Sequence, residues 1–196
     1  VDSAEIITAM RSLVEADIDN YCRILVAVID IAESTINACN AGYVSPLIMT
    51  LDGTVSSLAI PVQHPLKRGD EHTLTSKQTR IVPDSRLLFY SPGITDATDG
   101  SGATFGHDRL VAALHETLEI KDVNAALGMI NKQIEAFIGS TLQPNDRILV
   151  LADYTPGTME VTVEMADGDF TPIADMIDAI SVRENIGQAD TAMIKL

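Results

Sequence analysis

The sequence predicts an α+β fold built on a mainly antiparallel sheet, and three observations carry that prediction. Strand-like runs come in groups instead of alternating one by one with helices; two helical stripes follow each other between the runs "SRLLFYS" and "RILVLADY"; and Asp52-Gly53 sits between two apolar runs as a hairpin turn. A doubly wound parallel sheet would require strand and helix to alternate.

Along the chain, Ile6, Ile7, Met10, Leu13 and Val14 recur at spacings of three and four, so residues Ser3 to Glu15 read as an amphipathic helix. The runs "CRILVAVIDI", "TINACNAG" and "PLIMTLDGTVSSLAI" read as adjacent antiparallel strands, because β-branched residues are broken by turn residues. Gln63 to Asp70, with Pro65 and Gly69, reads as a surface loop, "EHTLTSKQTRIV" as an exposed strand and "SRLLFYS" as a buried one. Leu110, Val111, Leu114 and Leu118 form one helical stripe, and Val123, Leu127, Ile130, Ile134 and Phe137 a second. Thr155-Pro156-Gly157 reads as a boundary, because "MEVTVEM" begins a new alternating strand and Ile173, Met176, Ile177 and Ile180 a new helix.

With 196 residues the chain is long enough to bury a substantial core. Its 46% hydrophobic and 21% charged residues describe a globular protein. The net charge of −15, with no Lys/Arg cluster, repels nucleic acid and anionic membrane; basic proteins or metal ions fit better as partners, and the alternative is that the acidity serves only solubility. Cys22 and Cys39 lack zinc-site spacing and form no disulfide framework, which fits a reducing cytoplasm. No apolar run reaches the roughly 20 residues of a membrane span, and no signal-peptide layout precedes the first helix. A start at Val1 instead of Met reads as a fragment or a processed piece.

Several motifs fail on spacing. Gly100, Gly102 and Gly106 lie too far beyond Ser91 to present a helix N-terminus to a dinucleotide. A calcium loop begun at Asp96 would need alternating oxygen ligands and a closing glutamate, where this chain has His107. No G-x-S-x-G elbow surrounds Ser91, and His64, His72, His107 and His115 are scattered without a second ligand beside them. What remains is the acidic loop after "LLFYS", with Asp96 and Asp99, and Asn145-Asp146 just before "RILVLADY". Carboxylates at neighbouring strand ends are what a hard divalent cation requires.

Three segments carry a family resemblance: "ILVAVIDIAESTINACNAGYVSPLIM", "RLLFYSPGITDATDGSGATFGHDRL" and "NDRILVL". In order and spacing, over roughly residues 3 to 154, they resemble the metal-dependent phosphatases of the protein phosphatase 2C superfamily, in the SpoIIE and sigma-factor-regulator branch. That resemblance implies an antiparallel β-sandwich flanked by helices over residues 1–155. It also implies two Mn2+ or Mg2+ ions held by aspartates, which activate a water against a phosphoserine or phosphothreonine.

The departures fall on the implied ligands. Pro92 stands where the family has the Asp of an Asp-Gly pair, and Gly93 keeps the turn. Asn145 replaces the first Asp of the closing pair and Asp146 keeps the second, while Tyr43 replaces the His of an Asn-Ala-Gly-His turn. The family's first metal motifs would lie upstream of Val1, so the implied domain is incomplete at its N-terminal side. Residues 156–196 read as a strand-helix extension, or as the start of a kinase-like ATPase domain of the histidine-kinase type.

The functional expectation is a bacterial partner-switching module that binds or acts on a phosphorylated regulatory protein of the anti-sigma-factor-antagonist type, with a degenerate cation site. An active phosphatase completed by upstream ligands and a non-catalytic dimerisation or adaptor module are the alternatives. A homodimer and an N-terminal receiver or sensor domain are left open.

Overall fold

The computed structural model describes residues 2–14, 21–67, 73–166, 181–183 and 191–195. In chain order the elements begin with α1 (Ser3–Val14), β1 (Tyr21–Cys22), β2 (Ile24–Asp30), β3 (Thr35–Ala41), β4 (Leu47–Met49), β5 (Val55–Ser57), β6 (Val62–Gln63), β7 (Leu66–Lys67) and β8 (Lys77–Arg80). They continue with β9 (Ser85–Tyr90), α2 (Pro92–Thr95), α3 (Gly106–His115), α4 (Val123–Ile138), β10 (Arg147–Thr155), β11 (Thr158–Ala166), β12 (Ser181–Arg183) and β13 (Thr191–Lys195). Helices are segregated from strands and nearly all pairings are antiparallel, as the α+β reading requires. The helix expected from Ile173 and the side chain of His72 lie outside the described residues.

The described residues fall into two compact units. The first draws on Val1–Ser45, Ala59–Val82 and Ile177–Leu196. Its main sheet runs β12-β13-β2-β3-β6, with β8 also paired to β3; β1 and β7 form a separate two-stranded ribbon. β2 is buried from Ile24 to Ile29, because a strand flanked by β13 and β3 and apolar on both faces has nowhere to expose itself. α1 lays Ala4 and Ile7 against Ile24, Val26, Val28, Cys39 and Leu74. Its start is tied to β3, where Ser3 donates through both N and Oγ to Asn37 Oδ1 at 2.9 and 2.7 Å.

The second unit comprises Pro46–Leu58 and Pro83–Met176, with a sheet in the order β11-β10-β9-β4-β5. β9 is buried throughout and lies between β10 and β4, which explains a run of apolar residues on both faces. Asp52-Gly53 makes the expected hairpin: Gly53 adopts a φ of +81°, and Asp52 Oδ1 accepts from Thr50 Oγ1 at 2.6 Å and Thr54 N at 3.0 Å. α4 begins at Asp122, whose side chain accepts from Ala125 N at 2.7 Å. It then buries Val123, Ala126, Leu127, Ile130, Ile134 and Ile138, the stripe read from the sequence shifted by one position at its end.

Two local expectations are corrected. "TINACNAG" and "PLIMTLDGTVSSLAI" are not neighbours: β3 pairs with β2 and β8, whereas β4 pairs with β9 and β5 in another sheet. The turn at Gly42, with φ +78°, and the residues up to Pro46 redirect the chain between them. Gln63 to Asp70 reads as loop, yet β6 reaches Gln63 and β7 covers Leu66–Lys67, β6 pairing in parallel with β3 and β7 with β1; residues 68–70 lie outside the described residues. Thr155-Pro156-Gly157 forms a tight turn, with Gly157 at φ +84°, and β11 folds back to pair with β10 over its whole length.

Candidate functional site

Strand β9 delivers its last residue, Tyr90, to the start of the turn Ser91-Pro92-Gly93, and β10 starts directly after Asn145-Asp146. Because β9 and β10 are antiparallel with Tyr90 opposite Leu149, both turns emerge at one end of the same strand pair. Ser91 binds them together. Its N donates to Ile148 O at 3.0 Å, its Oγ donates to Asp146 O at 3.0 Å, and the same Oγ accepts from Ile148 N at 3.0 Å.

Pro92 opens the short helix α2, a position suited to a residue with fixed φ and no N–H to satisfy. Gly93 is buried and presses on the opposite turn: a Cβ there would overlap the Asp146 carbonyl oxygen and lie 3.2 Å from Asn145 Cβ. Only a residue without a side chain allows that approach. Locally, proline and glycine are turn signals, so nothing in the sequence distinguishes α2 from the turn that Gly93 keeps.

Asp96 caps the far end of α2, its N donating to Pro92 O at 2.9 Å, and its side chain is exposed. Asn145 and Asp146 are also exposed. The structure thus brings Ser91 and Gly93, on either side of Pro92, against the Asn145-Asp146 turn, with Asp96 one helical turn beyond Pro92 along α2. Tyr43, in the other unit, has its backbone held by Asn40: Tyr43 N donates to Asn40 Oδ1 at 2.7 Å and Asn40 Nδ2 to Tyr43 O at 3.1 Å. Burial pushes the Tyr43 phenol up to about 12, so it stays neutral at physiological pH.

The glycine-rich loop beyond α2 is ordered by two polar side chains. Gln143 is buried; its Nε2 donates to Thr98 O and Thr141 O, both at 2.9 Å, and its Oε1 accepts from Thr98 N at 2.8 Å. Nothing in the local sequence marks Gln143, since its partner Thr98 lies far upstream. Gln143→Ala would leave the half-buried Thr98 amide without this partner, which costs about 1 kcal/mol. Hydrogen exchange at Thr98 is expected to quicken severalfold in that variant, with exchange in α4 unchanged.

Asp99 shapes the tip of the loop, accepting from Ser101 Oγ at 2.6 Å, Ser101 N at 2.8 Å and Ala103 N at 3.0 Å. The Ser101 hydroxyl foremost, then the Ser101 amide, hold its carboxyl below the ordinary aspartate range. A depressed value means that the carboxylate's contribution is present above the ordinary pKa and lost as pH falls through the lowered one. The Ser101 and Ala103 amide proton shifts are therefore expected to titrate with a midpoint below that of an ordinary aspartate, and Asp99→Asn should abolish that titration.

A second structural feature escaped the sequence reading. Arg86, buried on β9, forks onto Asp153 of β10, with Nε to Oδ1 and Nη2 to Oδ2 both at 2.6 Å. Its Nη1 and Nη2 also donate to Thr117 O and Ile120 O at 2.8 Å, tying the end of α3 to the sheet. The usable signal was a charged residue within each of two largely apolar runs, Arg86 in "SRLLFYS" and Asp153 in "RILVLADY".

The donor set at the two turns can be weighed against the two divalent cations that the resemblance implies. Proline offers no side-chain oxygen and asparagine only a neutral one, so Asp146 is the single carboxylate on the paired turns. Among the described residues no group of three His, Cys, Asp or Glu side chains could hold a metal ion. This set does not fit a two-cation centre.

Comparison with known proteins bears on the same residues. A family model described as "Stage II sporulation protein E (SpoIIE)" matches residues 1–168. Protein IcfG of Synechocystis sp. is 26% identical over 145 residues, 70% of this chain, and the chain spans only 21% of that relative. Among solved structures, the RsbU and RsbW domains of Rv1364c from Mycobacterium tuberculosis align with a TM-score of 0.61 and 13% identity, covering 88% of this chain and 44% of that one. The phosphatase domain of SpoIIE from Bacillus subtilis, presoaked with Mn, aligns with a TM-score of 0.51 and 14% identity over 93% and 73%. The SiaA-PP2C domain of Pseudomonas aeruginosa gives 0.51 and 16% over 61% and 46%. At these identities the solved structures speak for the fold alone.

Proposed function

The chain belongs to the SpoIIE family of protein phosphatase 2C-like domains, and we propose that it serves there as a partner-switching regulatory module that binds a phosphorylated protein of the anti-sigma-factor-antagonist type, with a cation site too depleted for efficient hydrolysis. Phosphatases of this kind depend on Mn2+ or Mg2+, which would supply the activated water. The observation that carries the reading is the contact of Gly93 with Asn145 and Asp146. The two turns are held together as a cation site would require, while Pro92 and Asn145 remove the negative charge that would hold the cation there.

The remaining residues support binding better than chemistry. Ser91 locks the turn geometry through both N and Oγ, and Gln143 and Asp99 keep the adjoining loop in one conformation. A preformed loop spends less ordering entropy on a partner. The tail of the chain is proposed as an extension of the same domain, a reading supported by the pairing of β11 with β10 and of β13 with β2. The start of a kinase-like ATPase remains the competing proposal for residues beyond the described part of that tail.

Restoring the two carboxylates tests the cation reading without an activity assay. Pro92→Asp combined with Asn145→Asp is expected to raise Mn2+ affinity by about tenfold or more, read by the loss of the free Mn2+ electron-spin resonance signal. Equal affinity in the natural and doubly substituted chains would overturn it. Hydrolysis is tested by assaying the full-length protein with Mn2+ or Mg2+ on a phosphorylated antagonist-type protein. Retained binding without phosphate release supports the proposal; metal-dependent release that persists through purification controls would establish the active-phosphatase alternative.

A further inference from the structure

We propose that the free edge of β11 is a docking edge for an extended segment of another protein that alternates apolar residues with Lys or Arg. β11 stands last in its sheet, paired with β10 along all of its nine residues and with no other strand among the described residues. An edge strand presents a row of backbone N–H and C=O groups on its outer side, a template for one more strand. Protein edges are commonly blunted by proline, by charged side chains, lysine above all, or by a bulge. β11 reads "TMEVTVEMA", with no proline and no lysine, its register with β10 is unbroken, and its only charges are Glu160 and Glu164, which repel acidic strands but not basic ones.

The two faces of β11 differ in chemistry. Met159, Val161, Val163 and Met165 share one face, and Val163 and Met165 are 37% and 56% exposed. Glu160, Thr162 and Glu164 share the other, with both glutamates exposed and Glu164 Oε1 accepting from Asn131 Nδ2 at 3.3 Å. An added strand would therefore meet apolar side chains on one face and carboxylates on the other, and a segment alternating apolar with cationic residues satisfies both. A second copy of the chain, paired antiparallel over the full length of β11, would set Glu160 directly opposite the partner's Glu164, a like-charge pairing that destabilises. The net charge of −15 acts in the same direction, steering basic segments inward.

Position adds a consequence. Ala166 pairs with Arg147, the residue after Asp146, so the edge ends level with the paired turns and a docked segment would run toward them. The inference does not depend on whether those turns hold a cation.

The test uses the 196-residue chain and a fluorescent seven-residue peptide alternating Lys and Val, with a Glu/Val peptide as control, at about 0.15 M salt. The Lys/Val peptide is expected to bind at least about tenfold more tightly than the Glu/Val peptide. Glu160→Lys with Glu164→Lys should reverse that preference while leaving the unfolding midpoint of these exposed positions essentially unchanged. N-methylation of alternate peptide amides should abolish binding on one peptide edge and spare it on the other, which a purely electrostatic attraction would not do. Equal binding of both peptides, no binding, indifference to the Glu160/Glu164 change, or indifference to methylation of either edge would each overturn the proposal. So would self-association of the chain through β11 that the Lys/Val peptide fails to displace.

Discussion

Asp153→Ala is expected to lower stability by about 3–4 kcal/mol, the largest effect of any single substitution considered for this chain. The Arg86 side chain is only 8% exposed and that of Asp153 22%, so removing the carboxylate strands a guanidinium where water cannot replace it. Its remaining bonds to Thr117 O and Ile120 O satisfy donors but do not neutralise the charge. At this chain length the loss should appear as a fall of about 6–16 °C in the unfolding midpoint. Arg86→Met with Asp153→Ala provides the control: the double variant should be less unstable than the sum of the single changes, because the stranded charge is gone. Strict additivity of the urea-derived stabilities would show that the two side chains do not act as a pair.

Gly93→Ala is expected to cost about 2–3 kcal/mol, or roughly 4–12 °C, although it adds a single methyl group. That methyl would overlap a backbone carbonyl oxygen, that of Asp146, which cannot rotate aside as the end of a flexible side chain can. Relief requires the Asn145-Asp146 turn to move, and this would strain the Ser91 bonds to Asp146 O and Ile148 N. The comparison with Gly102→Ala is informative, since a Cβ at Gly102 meets nothing within 4 Å and any cost there comes from its φ of +83° alone. A Gly93→Ala chain as stable as the natural one would mean that the two turns are not in contact in solution.

Much of the element list was readable because it depends on neighbours in the chain. The α4 stripe, the α3 stripe and the Asp52-Gly53 hairpin rest on spacings of three, four and two residues; the hairpin and the bulk of the α4 stripe stand where expected, whereas α3 ends at His115, leaves Leu118 outside the helix and buries Ala113 in place of Val111. Pairing was not readable in the same way. β8 joins β3 and β9 joins β4 across long intervening segments, and short β6 and β7 offer too few residues to show any period. The candidate site divides along the same line. Asn145 and Asp146 could be picked out by their place at a strand end and Pro92 through the family resemblance, whereas Gln143 and Arg86 matter only through partners that other segments supply.

From its residues alone the chain determined its α+β character, its principal helices and strands, the family it belongs to and the chemical oddity of a proline and an asparagine at two strand tips. Tertiary structure decided that these tips touch through Gly93, that Arg86 meets Asp153, and that β11 pairs on one side only among the described residues. The reason is physical: side-chain periodicity is set by backbone geometry within a few residues, but contacts between segments depend on which strands pair and in what register. That choice is made by burial summed over the whole sheet, and no short window of sequence contains it.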